Sequence, residues 1–362
     1  MISKNLQKKK MILPLFALLA LTYIFISSRP AEEYPILFRT EVIRLPQTAT
    51  LPRLIQTQPL IQFETSERMG LINSANTVVA LTVKNGKNVL GPGFYFEAFP
   101  EQKKMILDDF FNESRIELPY YGYPFSRAGR ILILRPDQMG ALELDKKGTI
   151  RWIHEFGTTI TAFSAQSTIS AWGDLSGTLL LLDDAGNRID IDSNQPWRTS
   201  SFQCVYAVAI SKDQKAFAVI AGYKPLMMSL YRNDGAGFKL AKSIRLSGKA
   251  DAEILMTFSN DGSWLMAALP DGLAMLDTHT GRYLHQEQTS TIQSLTPFEQ
   301  SQISALVRDS NGKKIEIYDK GVKVYALSVE ESTYDVVDGL ESLILTEDLE
   351  LPGKLTRYGI KK

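Results

Sequence analysis

The chain has 362 residues, of which 44% are hydrophobic and 22% are charged, and forty basic side chains balance forty acidic ones. This composition is typical of a globular protein, and the length is sufficient for one large all-β domain. A net charge of zero argues against a nucleic-acid binder, which normally carries a clear basic excess. The one cysteine, Cys204, excludes an intramolecular disulfide and a cysteine-based metal cluster, and its strand-like flanks predict a buried, inert thiol.

The N-terminus predicts a membrane anchor. Residues 1–10 contain four lysines, and residues 11–28 form an uncharged stretch. A helix rises about 1.5 Å per residue, so this stretch reaches across a hydrocarbon core of about 30 Å. The lysines favour a cytoplasmic location for residues 1–10, so the chain after Arg29 is expected to be exported from a single-pass position in the inner membrane. A cleaved signal peptide is the alternative, although no small-residue cleavage site follows the apolar run.

After the anchor, residues 29–40 predict a linker, and residues 41–362 predict a β-rich domain. The linker begins with a turn-rich, proline-containing segment. Residues 36–45 have the β-branched content of a strand. The first strand is therefore expected to begin close to the end of the linker.

One turn pattern recurs along the β-rich domain. An apolar run is followed by Asp or Asn and then by Gly, because tight hairpins require positive φ angles and local side-chain hydrogen bonds. The intervals between the glycines are 62, 38, 49, 46 and 40 residues, and all but the first match the spacing of four-stranded propeller blades. The six turns are Asn85-Gly86, Asp145–Gly148, Asp183–Gly186, Asn233–Gly235, Asp277–Gly281 and Asp319–Gly321.

The spacing predicts an all-β protein with a β-propeller fold. Six turns indicate six blades, and the strand-like segments 334–345 and 355–360 supply a further one. An N-terminal strand around residues 41–45 is expected to complete that last blade. The count is therefore seven blades, with six or eight left open.

Two repeats resemble known propeller families. The segment 258–281, with the turn Ser-Asn-Asp-Gly and the later Asp-Thr-His-Thr-Gly, resembles a WD-repeat blade, although it lacks the Trp-Asp dipeptide. The segment 141–152 resembles a quinoprotein-type blade, in which the tryptophan after the turn, here Trp152, locks neighbouring blades. The resemblance covers about residues 70–360 at the level of architecture. It also implies a likeness to propeller factors that help to assemble envelope complexes.

The long first interval predicts an insertion at residues 94–125 that is rich in aromatic residues. Within it, residues 101–111 could form a short helix. Insertions in repeat folds often lie on the binding face, and aromatic residues are favoured in interface cores. The alternative is that the rings pack on the propeller rim. The candidate partner-binding residues are Phe94, Tyr95, Phe96, Phe110, Phe111, Tyr120, Tyr121, Tyr123 and Phe125.

The sequence contains no phosphate loop, dinucleotide fingerprint or nucleophile elbow, so no catalytic, cofactor-binding or metal-binding residue is assigned. His279 is expected to be exposed in a turn. His154 and His285 are expected to pack between blades rather than to bind a metal. The four tryptophans are expected to pack the blades together.

These observations favour an exported, membrane-anchored propeller that is not an enzyme and needs no cofactor. The expected function is that of an interaction or assembly scaffold for a protein partner, and no nucleic acid is expected to bind. The alternative is a protein that binds a small ligand in the central channel, for example an enzyme that processes glycans or peptides.

Overall fold

The computed structural model describes residues 36–44, 60–64, 68–73, 77–83, 88–91, 93–110, 114–200, 202–247, 250, 254–298, 300–329, 344–347 and 354–361. Apart from two short 3-10 helices, Pro100–Gln102 and Pro196–Thr199, the regular elements of these residues are β-strands, which confirms the all-β prediction. Chain contacts group Leu37–Gly359 into one compact unit and residues 1–36 with 360–362 into another. No helix in the described ranges could cross a membrane, and the predicted anchor at residues 11–28 lies outside them.

The described strands form eight sheets, five with four strands and three with three. Strand β1 (Ile36–Arg44) belongs to a terminal sheet, and the next seven sheets follow one another along the chain. Sheet 1 contains β2 (Leu60–Glu64), β3 (Arg68–Asn73) and β4 (Val78–Val83); sheet 2 contains β5 (Asn88–Gly91), β6 (Phe94–Phe99), β7 (Lys104–Asp109) and β8 (Ser114–Leu118); sheet 3 contains β9 (Tyr123–Arg127), β10 (Arg130–Leu134), β11 (Gly140–Leu144) and β12 (Ile150–Glu155).

The remaining sheets continue the same order. Sheet 4 contains β13 (Ile160–Ala165), β14 (Ile169–Asp174) and β15 (Leu179–Asp183); sheet 5 contains β16 (Val205–Ile210), β17 (Ala216–Ala221), β18 (Leu226–Asn233) and β19 (Phe238–Leu246). Sheet 6 contains β20 (Leu255–Phe258), β21 (Trp264–Leu269), β22 (Gly272–Asp277) and β23 (Tyr283–Glu287); sheet 7 contains β24 (Thr291–Pro297), β25 (Gln302–Asp309), β26 (Gly312–Asp319) and β27 (Val322–Val329). Strands β28 (Ile344–Glu347) and β29 (Lys354–Lys361) complete the terminal sheet.

The terminal sheet joins the two ends of the chain. Its strand order is β1-β29-β28, so the N-terminal strand pairs with the last strand of the chain. This confirms the expectation that an N-terminal strand completes the last blade. The strand begins at Ile36, however, so the predicted linker at residues 29–40 extends too far.

The segment 94–125 is not an insertion. It supplies the last three strands of sheet 2 and the start of β9 in sheet 3. The expected helix at residues 101–111 is replaced by β7, where Met105, Leu107 and Asp109 are buried in the two-residue alternation of a strand. The Asp/Asn-Gly turn pattern does not mark sheet 2, because no glycine closely follows its third strand. The seven sheets that follow one another along the chain, together with the terminal sheet, accord with the prediction of seven blades that left eight open.

The core lies between successive sheets. Inner strands are covered on both faces, as shown by β17, in which every residue of Ala216–Ala221 is buried. The sequence of a strand that is buried on both faces is a nearly continuous apolar run. One cluster combines Ile220 and Leu230 of sheet 5 with Leu265 and Leu276 of sheet 6. The first strands also contact one another in chain order, as β13 does with β16 and β16 does with β20. The stacking of adjacent sheets therefore supplies most of the hydrophobic stabilisation.

The turn after β15 shows how neighbouring sheets are held in register. Asp183 Oδ1 accepts the backbone N–H groups of Ala185 at 2.9 Å and Asn187 at 2.7 Å, which confirms the predicted Asp-Gly turn. Gly186 has a φ of +82°, and a Cβ there would lie 2.4 Å from Cβ of Trp152 in sheet 3. His154 Nε2 donates to the Gly186 carbonyl at 2.7 Å. Trp152 therefore locks the two sheets together, as the resemblance implied, and His154 packs between them, as expected from the sequence.

The other tryptophans also confirm their predicted packing role. Trp172, Trp197 and Trp264 are all at least 93% buried. Trp264 joins sheet 6 to sheet 7, since it packs in one cluster with Ile303 and Tyr318. The tryptophans are therefore structural residues of the sheet interfaces.

Candidate protein-binding surface

Four of the aromatic candidates lie in the core. Phe94, Tyr95, Phe96 and Phe110 are at most 6% exposed. Strand β6 is the second strand of its sheet and is covered on both faces, so Phe94 and Phe96 pack toward sheet 3 while Tyr95 packs toward sheet 1. These four residues cannot offer a binding face without unfolding. Their assignment to a partner-binding surface is corrected accordingly.

Two further candidates are half-buried and already occupied. Tyr120 Oη donates to the Gly148 carbonyl at 3.1 Å, and burial, with a contribution from the carboxylate of Asp145, raises the pKa of Tyr120 to about 12. Phe125 packs against Phe163 at a centroid distance of 4.9 Å. These contacts match the alternative expectation that the rings pack on the sheets. Phe111 lies outside the described residues.

Tyr121 and Tyr123 lie just before and at the start of β9. Their rings meet edge to face at 6.1 Å, and Tyr123 is 41% exposed. Tyr121 is half-buried. Of the nine candidates, Tyr123 is thus the one that the structure presents to solvent among the described residues.

Three other large apolar side chains are exposed at the same end of their sheets as Tyr123. Met139 is 40% exposed, Leu175 is 41% exposed and Phe202 is 46% exposed. Met139 and Leu175 lie in the loops between the second and third strands of sheets 3 and 4, whereas Tyr123 begins β9 and Phe202 lies in the segment that leads into β16, in each case the first strand of its sheet. In an antiparallel sheet these two locations are at the same end. We call Tyr123, Met139, Leu175 and Phe202 the apolar row.

The exposure of Leu175 follows from its turn. Asp174 is buried, and its Oδ1 accepts the backbone N–H groups of Ser176 at 2.9 Å and Thr178 at 2.8 Å. This Asx turn places residue 175 at the tip, away from the sheet. An apolar side chain at such a tip has no role in the turn itself.

Backbone hydrogen bonds hold the loops of the row together. Phe156 N–H donates to the Met139 carbonyl at 2.8 Å, and Ile160 N–H donates to the Gln138 carbonyl at 2.8 Å. Leu175 N–H donates to the Thr159 carbonyl at 2.9 Å. The loop of sheet 3, the connection between the sheets and the loop of sheet 4 therefore form one bonded surface.

A second set of contacts extends this surface to Phe202. Trp197 Nε1 donates to the Gly177 carbonyl at 3.0 Å. A Cβ on Gly177 would lie 2.3 Å from the carbonyl oxygen of Gln203, so the loop of sheet 4 is pressed against the residue after Phe202. The loops that carry the apolar row are therefore joined by contacts across sheets 3, 4 and 5.

The charges beside Met139 are internally paired. Arg135 contacts Asp137 and Glu155, in both cases at 2.7 Å. This three-residue group is exposed, and exposed pairs of this kind contribute little to stability. One guanidinium thus faces two carboxylates, so this group carries a net negative charge beside the sheet 3 part of the row.

The buried ionisable groups of the domain are structural. Arg130 and Glu143 pair inside sheet 3, and Trp152 Nε1 donates to Glu143 Oε2 at 2.8 Å. Cys204 is buried, and burial raises the pKa of its thiol, which disfavours the reactive thiolate. Within the described ranges, no group of three or more His, Cys, Asp or Glu residues could hold a metal ion.

The architecture and the comparisons agree on the class of protein. Consecutive sheets of three or four strands, packed face to face with their first strands in contact, define a β-propeller. The family model described as "beta-propeller protein" matches residues 1–337, and the chain belongs to this family.

Solved structures support the same fold. The chain is similar to BamB from Moraxella catarrhalis with a TM-score of 0.56 and 10% identity, over 90% of this chain and 100% of that chain. It is also similar to KlHsv2 with loop 6CD replaced by a Gly-Ser linker, with a TM-score of 0.50 and 8% identity, over 84% of this chain and 99% of that chain. A comparison with curated proteins gives no match. At these identities the likeness is one of fold.

Proposed function

We propose that this protein is a membrane-anchored, exported β-propeller that acts without catalysis as a protein-interaction scaffold, and that its partner docks on the apolar row. The row itself is the observation that carries this proposal. Single exposed apolar residues are normal, whereas a series of them on one surface is typical of an interaction site. The side-chain types fit as well, since Tyr, Phe and Met are enriched in interfaces.

The rigidity of the loops supports docking of a partner. Association loses free energy when mobile side chains and loops must be ordered. The backbone hydrogen bonds made by Met139, Gln138 and Thr159 already order these loops before any partner arrives. Most of the binding free energy is then available for contact with the partner. The predicted anchor at residues 11–28 would attach the propeller to the membrane from which it is exported.

A capture experiment with the full-length chain tests the proposal. The protein is expressed in its own cells with a photo-crosslinking amino acid in place of Leu175, and adducts are compared with those from the same amino acid at Ile153. Ile153 is 53% exposed but lies on β12, the outer strand of sheet 3. We expect one dominant protein adduct at Leu175 that is absent at Ile153.

A matched pair of substitutions separates binding from folding. Leu175→Ser should weaken capture of that adduct partner by about tenfold, which is the loss expected for an interface residue worth about 1.4 kcal/mol. Ile153→Ser should leave capture unchanged, and neither exposed substitution should change stability by more than about 0.5 kcal/mol. Equal capture by the wild type and Leu175→Ser would exclude the row as the docking surface.

A further inference from the structure

We infer that the partner presents an acidic and apolar polypeptide segment to the apolar row, with its carboxylates beside Phe202. This inference depends on the proposed function, because it specifies the chemistry of the partner at the same surface. Two cationic side chains, Arg198 and Lys224, lie at the same end of sheet 5 as Phe202 and carry the argument. Both are exposed.

Arg198 is held in position next to the row. It lies in the short helix Pro196–Thr199, whose Trp197 is buried and bonded to the loop that carries Leu175. Its Nε donates to Gln195 Oε1 at 3.0 Å, and one terminal nitrogen lies 3.4 Å from Gln203 Oε1. Both acceptors are neutral amides. The guanidinium is thereby oriented while its charge is left uncompensated, and it retains further N–H donors for a carboxylate.

Lys224 belongs to the neighbouring loop, between the second and third strands of sheet 5. Ser200 Oγ donates to the Pro225 carbonyl at 2.6 Å, which fixes this loop against the end of the short helix. The ammonium group of Lys224 lies 5.2 Å from the centroid of the Tyr223 ring. Neither Lys224 nor Arg198 forms an ion pair with any described residue. The sheet 5 end of the row thus carries two uncompensated positive charges.

The opposite end of the row differs in charge. Arg135 is already paired with two carboxylates, and the carboxylate of Glu101 is close enough to Tyr121 to affect its phenol electrostatically. A bound segment with uniform charge would therefore meet complementary charge at one end only. Complementary potentials determine which partner binds and in which orientation, more than how tightly it binds. The observed asymmetry favours a segment with apolar side chains over Met139 and Leu175 and carboxylates over the sheet 5 end.

A random dodecapeptide library displayed on phage tests the inference with the purified full-length chain. Peptides are selected on the wild type after depletion on Leu175→Ser, so that the enriched peptides depend on the row. We expect them to combine apolar residues with a net negative charge. The most enriched peptide is then synthesised, and its affinity is measured by fluorescence anisotropy.

Charge reversal identifies the contribution of the two cations. In Arg198→Glu/Lys224→Glu the acidic peptide should bind at least about tenfold more weakly, and its wild-type affinity should fall as salt is raised. The control is Lys212→Glu/Lys215→Glu, which reverses two exposed lysines at the other end of sheet 5 and should leave binding unchanged.

The outcomes separate the two proposals. Row-dependent peptides without acidic enrichment, or an acidic peptide that binds the Arg198→Glu/Lys224→Glu variant equally well, would overturn this inference and leave docking on the row intact. A selection that yields no peptide dependent on Leu175 would count against both the inference and the proposed function. A purely acidic peptide without apolar residues would also overturn the inference, since it would show binding by the cations alone.

Discussion

Substitution of Gly186 by alanine tests how the propeller sheets are held together. The residue has a φ of +82°, and an added Cβ would lie 2.4 Å from Cβ and 2.5 Å from Cγ of Trp152. Trp152 cannot move away freely, because its Nε1 is bonded to Glu143 Oε2 at 2.8 Å and its ring packs edge to face on Trp172 at 6.3 Å. The substitution should therefore push sheets 3 and 4 apart.

The expected loss in the free energy of unfolding of Gly186→Ala has two parts. A left-handed backbone costs an alanine about 1–2 kcal/mol relative to glycine. Forcing an extra carbon into a packed interface typically costs a further 1–3 kcal/mol or so. We expect Gly186→Ala to lower the free energy of unfolding by about 2–5 kcal/mol.

Gly129 provides the matched control. Its φ is +76°, but an added Cβ would meet no atom within 4 Å. Gly129→Ala should therefore show the backbone cost of about 1–2 kcal/mol alone. The difference between the two variants isolates the contact with Trp152.

Urea unfolding followed by tryptophan fluorescence is the appropriate assay, because Trp152 and Trp172 lie at this junction. The urea concentration at the midpoint of unfolding should fall further for Gly186→Ala than for Gly129→Ala, while the dependence of the unfolding free energy on urea stays the same. Equal midpoints for the two variants would show that Trp152 does not lock the sheets, and the reasoning would be refuted.

Three further predictions concern buried and turn residues. Glu143→Gln leaves the charge of Arg130 buried without its partner and should cost about 3–5 kcal/mol in the same urea assay; a loss below about 1 kcal/mol would contradict a buried pair. Hydrogen bonds, foremost from the Asn187 side chain, lower the pKa of Asp183 from its ordinary 3.8, so this contribution is complete above that value and lost as the pH falls below it. The free energy of unfolding of Asp183→Asn, measured from about pH 5 to pH 2, should therefore fall less steeply than that of the wild type. The same loss of stability in both proteins over this pH range would contradict the reasoning. Cys204 should react with a thiol reagent far more slowly in the native protein than in urea, and rapid native labelling would contradict its burial.

The turn chemistry explains how much of the fold could be predicted. Asp or Asn followed closely by Gly is typical of a tight turn, because the first residue bonds to the turn backbone and the glycine adopts a positive φ. These turns therefore correctly marked the ends of the third strands in sheets 3 to 7. Sheet 2 was missed because Asp109 is followed by Phe, Phe and Asn before its last strand, with no glycine to mark the turn. Without that mark, its strands were interpreted as an insertion.

The aromatic density of residues 94–125 illustrates a second limit. Aromatic residues are favoured both in interface cores and in strands, and composition alone does not distinguish the two. Burial of Phe96 and Met105 follows from packing against Ile131 and Ile133 of the next sheet, which short-range sequence patterns do not show. The two-residue alternation of β7 was also short enough to resemble one side of a helix.

The apolar row could not be found from the sequence for a related reason. Each of Met139, Leu175 and Phe202 is a single apolar residue in a polar loop, a pattern that also occurs in loops without any function. Their relation exists only because the antiparallel strands return each loop to the same end of its sheet, and because Leu175 N–H and Phe156 N–H bond those loops together. The proposed docking surface therefore depends on loops that the repeat places side by side, and the variants that test it should be chosen by sheet end rather than by sequence motif.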